Sequence, residues 1–190
     1  MVLILFAGFF LALVGAVGLL WVVSTWNRFV NLEMNVIDAW ADFESDVKMK
    51  YELLPDLHAT VKGYAKHEKA IFDQLSIARQ GASGALAAQN VKQFNQYQNQ
   101  IAQLTPRFNA ISENYPNLKA DALFMDFSQR LVTLEERLAN GRETYNSTAT
   151  IFNKAISMLP DTIVASIKGV KIRELIDVPD HFHQDYVVEF

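Results

Sequence analysis

The sequence predicts an all-α protein with one N-terminal transmembrane helix followed by a long antiparallel helical bundle. An uncharged apolar run covers Val2–Val23. Beyond it, apolar residues recur at alternating spacings of three and four, which is the period of helices that pack along a seam. All 17 basic and 21 acidic side chains follow residue 27, so the remainder of the chain carries the whole net charge of −4.

The run Val2–Val23 is typical of a membrane anchor. Its 22 residues make a helix of roughly 33 Å, which crosses a hydrocarbon core of about 30 Å. Helix is the expected conformation because a single span in lipid must satisfy its backbone hydrogen bonds internally. Indole side chains near its end suit the headgroup region. The residues that we expect to mark the anchor are Val2, Trp21, Val23 and Trp26.

A cleaved signal peptide is the competing interpretation of the same run. Signal peptides have a positive segment before an apolar stretch of about 7–15 residues, whereas this longer run has no Lys or Arg before it. We therefore predict a retained anchor. Arg28 is the only Lys or Arg within about 20 residues of the end of the span, so the positive-inside rule favours a cytoplasmic bundle by one residue. The side of the membrane stays undecided.

No Gly or Pro occurs between Gly18 and Pro55, so the membrane helix should continue into water. Pro55 has no N–H for the Tyr51 carbonyl and its ring crowds that carbonyl, so the helix must kink or break there. We predict a kink rather than a hairpin, because turn residues are scarce around it. The predicted apolar stripe comprises Val30, Ile37, Trp40, Val47, Tyr51 and Leu54, widened by Phe29, Val36 and Phe43.

Three long helices are expected beyond the membrane, the first kinked or broken at Pro55. Gly81-Ala82-Ser83-Gly84 is predicted as a loop, with Gly81 ending one helix and Ser83 capping the next. The second seam is Phe94, Tyr97, Ile101, Leu104, Phe108, Ile111 and Tyr115. The third is Phe124, Phe127, Leu131, Leu134, Leu138, Gly141, Tyr145, Thr148, Phe152, Ala155 and Leu159.

The C-terminal part is predicted to hold one short helix and a tail. Asp161 should cap the short helix, which is expected to end near Gly169. The last stretch, Val178–Phe190, contains Pro179, Phe182, Tyr186 and Phe190 and is expected either to dock or to stay mobile. The predicted domains are therefore the anchor at 1–27, the bundle at 28–169 and the tail at 170–190. If part of the first helix instead stands uncovered as a stalk, exposed Trp40 and Phe43 would favour self-association.

Several stretches carry a family resemblance: the N-terminal span, Tyr51–Leu57, Val61–Lys69 and Tyr115–Ala120. The pattern continues through Glu135, Arg137, Ala139, Arg142, Tyr145, Asn146, Asn153 and Pro160. Together they resemble the LemA family of bacterial membrane-anchored helical proteins. Two departures are Gly141, where the family tends to have Ala, and Met49-Lys50, which replaces a commonly basic pair.

The resemblance implies one membrane helix in a bacterial cytoplasmic (inner) membrane and a helical bundle on one side of it. It implies no established reaction, catalytic residue or cofactor. One member of the family is associated with building magnetosome membranes, which points to membrane organisation.

The sequence offers no motif for catalysis, metal binding or nucleic-acid recognition. Ile71 stands where a His-Glu-x-x-His motif beginning at His67 would need its second histidine. His181 and His183 have no carboxylate cluster of helical spacing beside them. A basic stripe and the known nucleic-acid motifs are missing from the sequence. We predict no catalytic, cofactor or metal site and no nucleic-acid partner.

Two clusters of charged side chains each have a functional and a structural interpretation. Lys62, Lys66, His67 and Lys69 form a candidate interaction surface, together with Trp40 and Phe43, for an acidic partner or anionic lipid. The structural alternative is a solvated helix surface. Glu135 and Glu136 with Arg137 and Arg142 are explained by pairing at i,i+4 on one helix.

These observations lead to a functional hypothesis. The chain is expected to be a non-enzymatic scaffold or interaction module at the membrane surface, with the lipid bilayer, copies of itself and other membrane proteins as partners. The alternative is an accessory or regulatory subunit of a membrane enzyme or protease. An unrecognised hydrolase is a more distant third.

Overall fold

The computed structural model describes residues 1–62 and 69–177, apart from the side chains of 56–58, 62, 69, 105–113 and 119. This part of the chain has no strand, and its helices are α1 Val2–Lys62, α2 Lys69–Ala87, α3 Val91–Asn114, α4 Pro116–Lys119, α5 Ala122–Ser157 and α6 Asp161–Lys168. The predicted all-α class is confirmed. The helices build two compact units, one from Met1–Ala39 with Ser147–Arg173, the other from Trp40–Asn146 with the chain from Glu174 onward. The predicted domain limits stay a prediction.

α1 continues through Pro55 to Lys62, so the chain does not reverse at this proline and the hairpin alternative is wrong. Pro55 cannot donate to the carbonyl of Tyr51. That carbonyl instead accepts a hydrogen bond of 2.9 Å from the Arg79 guanidinium on α2. A side chain from a neighbouring helix thus replaces the missing backbone donor, and the helix is not interrupted.

The buried face of α1 confirms most of the predicted stripe and differs from it only near the apolar run. Trp40, Val47 and Tyr51 are buried, as are Phe29, Val36 and Phe43, whereas Val30 and Ile37 are 39% and 43% exposed. Near the apolar run, two stripes one residue apart share the seven-residue spacing, and the buried one contains the rings of Phe29 and Phe43. Aromatic side chains bury the most apolar area per residue, so the phase that buries them is favoured.

The second unit contains an aromatic core on α1. Trp40 lies edge-on to Tyr145 of α5 with ring centroids 5.3 Å apart. Phe43 lies edge-on to Phe94 of α3 at 5.7 Å. Trp40 and Phe43 are therefore buried core residues, and their predicted place on an exposed stalk or interaction surface is wrong, because α3 and α5 cover them.

Ion pairs between helices show that α1 and α5 run antiparallel in this unit. Lys50 pairs with Glu135 at 2.5 Å, and Asp46 pairs with Arg137 at 2.5 Å. Higher numbers on α1 thus meet lower numbers on α5. Pairing within a single helix, predicted for Glu135 and Arg137, is replaced by pairing across the helix interface.

The predicted loop at Gly81–Gly84 is wrong, because α2 runs through it to Ala87. The small side chains there serve a close helix crossing. A Cβ atom added to Gly81 would lie 2.2 Å from Cζ of Tyr97 on α3. Ala82 and Ala85 are buried on the same helix. Composition typical of a turn therefore reflects a tight contact between two helices.

The connection between α2 and α3 lies at residues 88–90. Gln89 adopts a positive φ of 51°, and Asn90 accepts a 3.0 Å hydrogen bond from the backbone N–H of Gln93 through Oδ1. This is the N-cap interaction that begins α3. Of the predicted seam on α3, Phe94, Ile101 and Leu104 are buried, and the side chains of Phe108 and Ile111 lie outside the described residues.

The seam of α5 follows the prediction at first and then shifts. Phe127, Leu134, Leu138 and Tyr145 are buried; further along, the buried residues are Ala149, Phe152 and Ile156. Phe152 confirms the predicted seam, whereas Ala149 and Ile156 are buried in place of the predicted Thr148 and Ala155, and the predicted Leu159 is exposed. A straight α-helix drifts by about 20° per seven residues against a strict heptad repeat, so the buried face moves by one residue over the length of α5.

The segment after α6 has no helix or strand over residues 170–177, and asparagine side chains bind its backbone. In the second unit, Asn146 donates to the carbonyl of Ile176 and accepts from its N–H, both at 2.8 Å. Asn95 donates to the carbonyl of Leu175 and accepts from the N–H of Asp177, both at 3.2 Å. These amides supply hydrogen bonds that a neighbouring strand would otherwise give. The stretch Val178–Phe190, which was expected to dock or to stay mobile, lies outside the described residues.

The role of Arg79 predicts a coupling with Pro55. Replacing Arg79 by Met should cost about 1–3 kcal/mol of unfolding free energy, because the part-buried Tyr51 carbonyl loses its donor. In a Pro55→Ala background the residue at 55 has an N–H for that carbonyl, so the same replacement should cost less. Urea unfolding of the four proteins measures this coupling. An equal loss of unfolding free energy in both backgrounds would show that Arg79 does not compensate for Pro55.

The glycines of α2 provide a matched pair. Gly84→Ala should stabilise the protein by about 0.5–1 kcal/mol, since alanine favours the helix and nothing lies within 4 Å of the added Cβ. Gly81→Ala should be less stable than Gly84→Ala by about 1–3 kcal/mol, because the new methyl group meets the Tyr97 ring. Thermal unfolding compares the two. Equal stabilities would mean that α2 and α3 do not cross closely.

Candidate membrane-proximal site

The N-terminal part of α1 is long and apolar enough to cross a membrane, by length and composition, and the most apolar stretch is uncovered by the rest of the chain. Of the predicted anchor residues, Val2, Val23 and Trp26 are exposed and Trp21 is half-buried. Packing within the first unit begins at Thr25 and Phe29, which are buried. The folded chain therefore starts directly where the apolar run ends.

α6 packs beside this part of α1. Val164 and Ala165 are its buried residues, and Gly169 ends the helix in the left-handed conformation with φ 73°. Asp161, expected as a cap, is instead the first helical residue and pairs with Arg28. At the other end of α6, Lys168 pairs with Glu33. α6 thus runs in the same direction as α1, with its N-terminal end nearer the apolar run.

Glu33 is the centre of a small charged cluster. Its carboxylate accepts hydrogen bonds from Lys168 Nζ at 2.6 Å and from Arg173 Nη2 at 2.8 Å. The hydrogen bond from Lys168, aided by the charges of both cations and opposed by partial burial, lowers the pKa of Glu33 below its usual value. The negative charge of Glu33 is therefore balanced within the first unit.

Arg173 is positioned from α5. Asn153 donates to the Arg173 carbonyl at 2.8 Å and accepts from its N–H at 2.7 Å, and the guanidinium lies 5.8 Å from the ring centroid of Phe152. This is the same use of asparagine as at Asn146. Two helices, α5 and α6, thereby direct cations to one carboxylate on α1.

Two apolar surfaces remain exposed around this cluster, and neither was predicted from the sequence. The first, the α1 stripe, consists of Trp26, Val30, Met34 and Ile37. The second, the α6 face, consists of Met158, Leu159, Ile163 and Ile167. The spacing of Val30 and Ile37 was visible in the sequence but suggested a buried seam. Leu159 was expected to be buried in α5, which ends at Ser157.

The predicted basic surface stays a prediction. Residues 63–68, which contain Lys66 and His67, and the side chains of Lys62 and Lys69 lie outside the described residues. Within the described part of the chain, no three His, Cys, Asp or Glu side chains cluster closely enough to hold a metal ion. His181 and His183 fall beyond it, so the expectation that the chain has no metal site is untested.

A LemA family model matches residues 39–190. The chain belongs to the LemA family. The fold expected from the resemblance, an apolar N-terminal helix followed by packed helices, agrees with the structure of this LemA-family chain.

Individual relatives are similar over a shorter stretch. Magnetosome protein MamQ of Magnetospirillum gryphiswaldense is 35% identical over 65 residues, which is 34% of this chain and 24% of that protein. Magnetosome proteins MamQ 1 and MamQ 2 of Paramagnetospirillum magneticum are each 34% identical over 68 residues, 36% of this chain and 25% of theirs. The match thus spans about a quarter of these relatives. The apolar helix and the bacterial relatives indicate a bacterial membrane protein.

The cluster at Glu33 predicts a pH dependence. A carboxylate whose pKa is lowered by folding stabilises the native state above its unfolded pKa of about 4.3, and this stabilisation is lost as the pH falls through the folded value. Glu33→Gln should therefore be less stable than the wild type at neutral pH, and the difference should vanish in acid. Unfolding free energies across this range measure it, and a difference that stays constant with pH would contradict the assignment.

Proposed function

We propose that this chain is a non-enzymatic, single-pass protein of the bacterial cytoplasmic membrane that associates with further copies of itself beside the bilayer and serves there as an interaction module. The observation that supports this most is the α1 stripe. It starts three residues beyond Val23, on the same helix as the span, and leaves four large apolar side chains in water. Such a surface beside a membrane span is more consistent with protein contact than with exposure.

The stripe has the geometry of a helix-pairing surface. At 100° per residue, Trp26, Val30, Met34 and Ile37 fall within a sector of about 80°. Copies anchored in one membrane by the same span carry this sector at the same height and in parallel orientation. Each stripe can therefore meet its equivalent in register, as in a symmetric parallel pair.

The acid beside the stripe would not oppose such pairing. Glu33 lies next to Val30 and Met34 on the helix surface, where two copies would bring their Glu33 carboxylates together. Lys168 and Arg173 of the same chain balance that charge. The Glu33 cluster thus removes a like-charge repulsion that would otherwise cost stability at a helix pair.

The accessory-subunit alternative uses the same stripe against a helix of another membrane protein. The two proposals differ in what lies opposite Ile37. The chain contains no cysteine, so a single introduced thiol reports only on its own position.

Oxidation of Ile37→Cys in native membranes should give a disulfide-linked homodimer on a non-reducing gel. Asn35→Cys is the matched control, since it is exposed, lies about 3 Å from Ile37 along the axis, and points about 160° away from it. It should give little dimer. A discrete adduct with another protein and no homodimer would favour the accessory subunit, and equal homodimer from both positions would contradict the stripe.

A further inference from the structure

The α6 face is the second exposed apolar surface of the first unit. Met158 and Leu159, in the turn between α5 and α6, are 52% and 78% exposed, and Ile163 and Ile167 continue the surface along α6. Ile163 and Ile167 stand four residues apart on α6, so they share one side of the helix. Val164 and Ala165 occupy the buried side.

One contact fixes the height of this turn along α1. Asp161, two residues after Leu159, pairs with Arg28, and α6 then runs away from the span to Lys168 at Glu33. The turn therefore lies on the span side of Arg28. Arg28 itself is about 7.5 Å beyond Val23 along the helix, and the headgroup layer adds roughly 5–8 Å to each side of the hydrocarbon core.

A second set of contacts gives the same height independently. Asn153 on α5 binds the backbone of Arg173, whose guanidinium reaches Glu33. From Asn153, α5 continues towards the span to its end at Ser157, about 6 Å along the axis. Both helices therefore bring the turn to the level of the headgroups.

The charges around the turn do not oppose contact with lipid. The carboxylate of Asp161 is paired with Arg28, so the acid next to the turn is neutralised. The other ionisable side chain nearby on α5 is Lys154, a cation. An apolar turn flanked by the paired Asp161 carboxylate and by Lys154 suits the boundary between headgroups and acyl chains.

We propose that the turn Met158–Leu159, with Ile163 beside it, inserts into the headgroup–acyl boundary of the bilayer that holds α1. The first unit would then contact the membrane at two places, the span and the turn, and could not tilt freely about the end of the span. This inference rests on the proposed anchoring of α1 and adds a second lipid contact to it.

The test uses the full chain in phosphatidylcholine vesicles that contain lipid spin-labelled at a shallow acyl position. Single cysteines at Leu159 or Met158 carry an environment-sensitive fluorophore. The matched control is Ile151→Cys, because the exposed fraction of Ile151, 53%, nearly equals that of Met158, 52%. Ile151 lies on α5, seven residues before Met158 and therefore about 10 Å further from the membrane. Leu20→Cys reports on the anchor itself, because Leu20 is 70% exposed within the apolar run and points about 80° away from the centre of the α1 stripe.

Labels at Leu159 and Met158 should be quenched several-fold more strongly than the label at Ile151. Quenching at Leu20 with none at Leu159 would overturn the inference while leaving the anchor intact, and so would equal quenching at Met158 and Ile151. Leu159 fluorescence that is shielded in detergent as strongly as in vesicles would assign the face to a second copy and also overturn it. Absence of quenching at Leu20 would instead refute the proposed anchoring.

Discussion

The structure depends on one constraint, namely that every backbone carbonyl of α1 needs a hydrogen-bond donor along 61 residues. In the apolar run the helix itself must supply the donors, because lipid offers none. At Pro55 the helix cannot supply one, and Arg79 does so from α2. Because this helix continues through both compact units, the residues that keep it continuous also determine which residues can pack against it.

The same need for hydrogen-bond partners explains the segment after α6. A chain without helix or strand has backbone N–H and C=O groups that no regular secondary structure satisfies, and leaving them unpaired in a buried place is costly. Asn95, Asn146 and Asn153 each offer one donor and one acceptor to that backbone. An amide side chain is suited to this because it carries both functions on one planar group.

Much of the helix content followed from the sequence, because it depends on local periodicity. The choice between neighbouring phases did not. Phe29 and Val30 both fit a seven-residue repeat, and only the positions of the covering helices decide which of them is buried. The glycines at 81 and 84 suggested a loop for a similar reason, since the crossing with Tyr97 joins residues on different helices.

The candidate site was largely beyond the sequence. Lys168 and Arg173 reach Glu33 across more than 130 positions, and no local pattern predicts that distance in space. The exposure of the α1 stripe and the α6 face likewise depends on where the packing of the first unit stops. What the sequence did provide was the place of the span, and both exposed surfaces are located relative to it.

A distance between two spin labels measures whether α1 continues unbroken across the membrane boundary. Ser24 and Asp38 are exposed and 14 residues apart, so their Cα atoms lie about 21 Å from each other in an unbroken helix. With nitroxides on Ser24→Cys and Asp38→Cys, and the labelled chain diluted with an excess of unlabelled chain in lipid vesicles, pulsed electron paramagnetic resonance should give one narrow distance consistent with that separation. A broad distribution, or a peak well below it, would show that the helix breaks where it leaves the membrane.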